Sequence, residues 1–135
     1  MTASLEGLLP FITYFCTGLA AMTLFKVLYA RLTPFDEWGL VKQKYNTAAA
    51  ISIGGALLGY TLALAAAASN SVAYLDFLVW ALIAMAAQLL TFLVVRFALI
   101  PTIVEKIEND RIAGAVVLAS INVSVGLLNA ACMSY

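Results

Sequence analysis

Four apolar stretches, at residues 8–29, 48–68, 77–98 and 112–133, occupy most of this chain. An α-helix rises ~1.5 Å per residue, so ~20 apolar residues cover a hydrocarbon core ~30 Å thick, and every stretch reaches that length. Inside lipid the backbone must satisfy its own hydrogen bonds. Continuous segments of this length do so as helices, whereas barrel strands are about half as long and alternate in polarity. The predicted fold class is an all-α integral membrane protein, a single transmembrane domain over residues 1–135 with four transmembrane helices. Composition agrees: 64% of the residues are hydrophobic and 10% charged, outside the range of soluble domains. Residues 1–7 hold no Lys or Arg, so the first stretch lacks the basic flank of a signal peptide and is expected to stay attached.

The seven basic residues all gather on one side. Arg31, Lys42, Lys44, Lys106 and Arg111 fall in the connections after the first and third stretches, with Lys26 and Arg96 just inside those helices. Glu6 and Asp76 mark the other side, which has no Lys or Arg. The positive-inside rule therefore predicts cytoplasmic basic connections and both termini outside. Lys26, Arg31 and Arg96 are expected to snorkel to the headgroups, and with Trp38 and Tyr45 to anchor the interface.

The chain reads twice through one plan: long helix, Pro, charged amphipathic connection, N-capping residue, helix rich in small residues. This divides it into a first two-helix unit, 1–70, and a second, 71–135. Pro34, Asn46 and the match of Asn46-Thr47-Ala48-Ala49-Ala50 to Asp110-Arg111-Ile112-Ala113-Gly114 carry the pattern, with Pro101 in the second half. Each unit crosses twice, so the repeats are parallel rather than inverted. Thr33, Pro34 and Asp36 have the spacing of a helix start, which predicts a short interfacial helix presenting Trp38, Val41 and Tyr45 to the headgroup layer. Ile103, Val104 and Ile107 against Glu105, Lys106 and Glu108 predict a thinner version in the second connection. Anchoring to membrane lipids is the first reading of these segments, and docking of a cytoplasmic partner or of anionic lipid the second.

Within the second stretch Gly55, Gly59, Ala63 and Ala67 recur every four residues, the small-xxx-small arrangement through which membrane helices pack. The partner is either another copy or another helix of the same chain. The fourth stretch carries Asn122, Gly126 and Asn129 on one face with Ser120 and Ser124 on the next, and the third carries Gln88 and Thr91. Gln88 and Asn122 sit near mid-bilayer, where an unpaired amide is costly. They are expected to bond one another between helices; the alternative is a polar path for water, an ion or a small solute lined by Gln88, Thr91, Asn122 and Asn129.

Nothing here spells out a reaction. The chain has no His, no mid-membrane carboxylate, no acidic metal cluster, and no Ser or Cys beside a recognisable base. Cys16 and Cys132 lie at different depths and are expected to remain unbridged packing residues. The expectation is a non-enzymatic protein with no cofactor, no metal and no nucleic-acid partner.

Several segments together, Leu32-Thr33-Pro34 with Glu37-Trp38, Asn46-Thr47-Ala48-Ala49-Ala50, Gly55-Ala56-Leu57-Leu58-Gly59-Tyr60 and Asn129-Ala130-Ala131-Cys132-Met133, give a resemblance over nearly the whole length. The chain resembles the YjfL-type bacterial inner-membrane proteins, a family of four-helix proteins of unknown function built from a duplicated two-helix unit. The resemblance implies a bacterial inner-membrane location, which makes the outer side of the charge-based topology the periplasm, and a connection with envelope or membrane-stress gene neighbourhoods. It supplies no activity and no catalytic residue. The functional expectation is an oligomeric scaffold or partner-binding module assembling with itself or with membrane or cytoplasmic proteins through the small-residue faces of the second and fourth helices. The alternative is an oligomeric channel or facilitator for an ion or small solute.

Overall fold

The computed structural model describes residues 5–32, 37–99 and 102–133. These form α1 (Leu8–Leu32), α2 (Glu37–Lys44), α3 (Thr47–Asn70), α4 (Tyr74–Val94), a π-helical turn (Val95–Leu99), α5 (Ile103–Glu108) and α6 (Ile112–Cys132). Among the described residues, four helical spans are long and apolar enough to cross a membrane: α1, α3, α4 with its π-helical turn through Ala98, and α6. The predicted helix start at Thr33, Pro34 and Asp36, together with Pro101 and the Trp38 side chain, lies outside the described residues.

The helix in the middle is α3, which packs most extensively on α6 and also meets α1, α2, α4 and α5. Its sequence explains the position. Ala and Gly occupy most of its inward positions, and a helix without bulk on several sides can be surrounded. Ala48, Ala49, Ala56, Ala63 and Ala67 are all buried. By contrast α1 buries only Phe25 and Tyr29. Aromatic pairs hold it: Phe25 stacks on Tyr60 at 4.7 Å, Tyr29 meets Phe92 edge-on at 5.0 Å, and Tyr14 stacks on Phe77 at 5.1 Å. Such pairs add about 0.5–1.5 kcal/mol each beyond area burial.

The two turns entering α3 and α6 each place one residue in the left-handed region, Tyr45 (φ 51°) and Asp110 (φ 55°). Asp110 N–H donates to Ile107 O at 3.0 Å and Arg111 N–H to Lys106 O at 2.8 Å, closing the end of α5 as a left-handed stop that an Asp tolerates better than most residues. This corrects the expectation that Asp110 caps α6. Arg111 holds that position and makes no side-chain capping bond. The Asp110 carboxylate instead accepts the Ala48 N–H at 2.8 Å, in the first turn of α3. Asn46 does cap α3, its Oδ1 accepting the Ala49 N–H at 2.8 Å. Its Nδ2 reaches across to Ile107 O at 3.0 Å and Glu108 O at 3.4 Å. Both connections therefore converge on the start of α3.

Candidate functional site

The polar residues predicted near mid-bilayer come together where α3, α4 and α6 meet, and small residues make the meeting close. A Cβ added at Gly55 would run into Ala119, one at Gly59 into the Asn122 carbonyl, and one at Gly126 into the Gly59 carbonyl. Backbones in such contact gain packing that no larger side chain permits. The Gly55–Gly59 face is therefore spent inside the subunit against α6, and so is Gly126. Of the two partners open to these residues, another copy or another helix of the same chain, Gly55, Gly59 and Gly126 meet the second. Ala63 and Ala67 continue the same stripe and lie in the core. Neighbouring Gly54 differs, for nothing lies within 4 Å of where its Cβ would be.

Gln88 and Asn122 are each 1% exposed and do meet, though not amide to amide. Gln88 Nε2 donates to the backbone carbonyl of Asn122 at 3.1 Å, passing over Gly59, where a Cβ would sit 2.7 Å from that nitrogen. Among the described residues Gln88 Oε1, Asn122 Nδ2 and Ser52 Oγ have no hydrogen-bond partner. The other expected members of a polar path disperse. Asn129 Nδ2 donates to Ala84 O at 3.4 Å, and Thr91 Oγ1 donates to Ala87 O of its own helix at 2.9 Å. Tyr60, passed over in the sequence, is buried and donates to Ala81 O at 3.0 Å. Its signal was there to read, because a hydroxyl in the middle of an apolar helix needs a nearby acceptor. These groups are neutral and can order helices through hydrogen bonds.

At the basic end the expected anchors separate. Arg96 reaches the end of α1: Nη1 donates to Leu32 O at 2.9 Å, and its guanidinium lies 4.9 Å from the Phe97 ring centroid. It thereby satisfies one of the orphan carbonyls at the end of α1. The π-helical turn carrying it adds a residue to the helical repeat and so re-aims the side chains that follow. Lys26 is half-buried, and Arg31 and Tyr45 are exposed. Cys16 and Cys132 are free thiols on the exposed surface, and among the described residues no group of His, Cys, Asp or Glu gathers to hold a metal.

Comparison with known proteins gives a consistent result. No solved structure matches the chain. The UPF0719 inner membrane protein YjfL of Escherichia coli (strain K12) is 40% identical over 131 residues, covering 97% of this chain and 98% of its own. The YjfL protein of Escherichia coli O157:H7 matches to the same extent. A family model, described as a domain of unknown function, DUF350, matches residues 3–133. With four membrane-length helices and both matches running almost end to end, this chain belongs to the DUF350 family.

Proposed function

We propose that this protein is a non-enzymatic module of the bacterial inner membrane that associates with itself through the outward face of α6. One observation carries the reading. Along that face Ala113, Ser120, Ser124 and Ala131 form a seam of small residues, flanked on one side by Val116 and Leu127 and on the other by Val117 and Leu128, and all of them are exposed. The opposite face of the helix, Ala115, Leu118, Asn122 and Gly126, is buried against the rest of the bundle. A shallow trough between two aliphatic ridges suits a second copy of the same helix, since lipid tails offer no hydrophobic drive and packing must supply the affinity. Ser120 and Ser124 would add interhelical hydrogen bonds worth about 0.6 kcal/mol each. Burial of Gln88 and Asn122 inside the bundle favours this reading over a channel lined by those amides.

Filling the trough tests it. Ser124→Leu should weaken self-association at least about tenfold, or ~1.4 kcal/mol, in Förster transfer between labelled copies in lipid vesicles, while leaving thermal stability unchanged because the position faces outward. Undiminished transfer in Ser124→Leu, or a wild-type protein that stays monomeric, would rule the reading out.

The same proposal includes orientation, supported by Arg31, Lys42, Lys44, Lys106 and Arg111 all lying in two connections at one end. Those connections face the cytoplasm and the termini the periplasm. Reporters fused after Asn46 and after Tyr135 should report opposite compartments; a cytoplasmic signal from the second would reverse the topology.

A further inference from the structure

Among the described residues, Tyr45 (φ 51°) and Asp110 (φ 55°) are the non-glycine positions in the left-handed backbone region, and they occupy the same place in the two halves of the chain. Each directly precedes the N-cap residue of a spanning helix, Asn46 before α3 and Arg111 before α6. In each turn the next N–H closes the loop, Asn46 onto Leu40 O at 3.0 Å and Arg111 onto Lys106 O at 2.8 Å. The backbone demand is shared; the use made of the side chain is not. Asp enters this region more readily than most residues, and the Asp110 carboxylate reaches the Ala48 N–H. Tyr is bulky and enters it at a steric cost, yet Tyr45 is 84% exposed, so its ring returns little packing to its own subunit. An Asn or a Gly would make the same turn without that cost. Strain of this kind persists where the side chain it aims is used, and the use of this ring lies outside the subunit.

The surroundings of Tyr45 say what meets it. Leu40 and Val41 pack against the core and hold α2 on the bundle, which fixes the turn at its end. Thr47, just beyond the turn, begins a helix of membrane length, so the ring lies at the level where hydrocarbon gives way to headgroups. Lys42 and Lys44, immediately before it, are exposed, and cations at that level suit phosphate-bearing headgroups. A phenol has an apolar body and a polar tip, which fits this layer better than either water or the acyl interior. We propose that Tyr45 is a membrane-docking residue, its ring seated among phospholipid headgroups at the basic end of the bundle, and that the strained turn is retained because it aims the ring there. The contact does not depend on the α6 trough, and its test reads depth in lipid rather than self-association.

Two measurements on the full chain test the two halves of this proposal. In mild detergent Tyr45→Asn should melt about 3 °C above Tyr45→Ala, because both lack the ring and only Asn accommodates the left-handed turn. Equal midpoints would show that the turn carries no strain and remove the premise. In vesicles of phosphatidylethanolamine and phosphatidylglycerol, Tyr45→Trp should add emission over wild type. Lipids brominated at the headgroup end of the acyl chain should quench that emission more than lipids brominated near its tail, and aqueous iodide should quench it only weakly. Added emission that bromine leaves untouched would overturn the docking: quenching by iodide as full as for free tryptophan would place the ring in water, and a blue shift as copies are crowded would place it against a second copy. Should Tyr45→Trp fail to fold, Overhauser contacts from the Tyr45 ring of the wild type to lipid headgroup protons in nanodiscs apply the same test, and their absence would overturn the docking equally.

Discussion

Replacing Gly59 by leucine is expected to abolish the fold. A Cβ at this position meets the Asn122 carbonyl and comes within 2.7 Å of Gln88 Nε2, while Gly59's own carbonyl lies against Gly126. Two of the three obstacles are backbone, and backbone yields only if α3 and α6 separate. That separation would also break the Gln88 bond to Asn122, stranding another amide in a dry core. Gly59→Ala should already cost about 3 kcal/mol, the upper part of the range for overpacking, and Gly59→Leu should leave no cooperative thermal transition in mild detergent. Gly54→Ala is the control. With open space around it, it should leave the transition within about 0.5 kcal/mol, as surface substitutions usually do. Equal behaviour of the two positions would mean that the α3–α6 contact is not made as described.

The second large effect belongs to Asn46. It caps α3 through Oδ1 and ties that helix to α5 through Nδ2, two roles that different substitutions separate. Asn46→Ser keeps a capping oxygen of comparable quality but is too short to reach Ile107, and should lose about 1 kcal/mol, the worth of one hydrogen bond. Asn46→Ala loses the cap as well and should lose about 2 kcal/mol in all. Hydrogen exchange across residues 103–111 should quicken in both variants, because the tether is gone from both. Unchanged exchange there, with only the Ala variant destabilised, would show that Asn46 acts as a cap alone.

Much of the architecture was legible because it depends on local properties. Length and continuity of apolar residues are enough to define four spanning helices, and Asn46 announced the start of α3 by type and place. Legibility ended where the partner of a residue lies far along the chain. Asp110 has the chemistry of an N-cap and sits where one is wanted; the left-handed turn at that residue sends its carboxylate to Ala48, 62 positions away. Arg96 has the depth of an interfacial anchor, and its bond to the end of α1 depends on where that helix packs. Gln88 and Asn122 share a depth and meet, yet the bond goes to a backbone carbonyl, since the close approach at Gly59 exposes that carbonyl to the Gln88 side chain.

By itself the sequence determined that this chain crosses the membrane four times as helices and gathers its cations at one end, because hydrocarbon thickness, backbone hydrogen bonding and charge are indifferent to which helix neighbours which. Tertiary structure alone decided how each small residue is used. Gly54 and Gly55 are adjacent and identical in type, but a turn of 100° per residue points one at open space and the other at Ala119. On α6 the same helical rotation turns Asn122 and Gly126 into the subunit and leaves Ser120 and Ser124 outside. Helix orientation about its own axis is set by the sum of contacts with all neighbours, a quantity that no local window of residues contains.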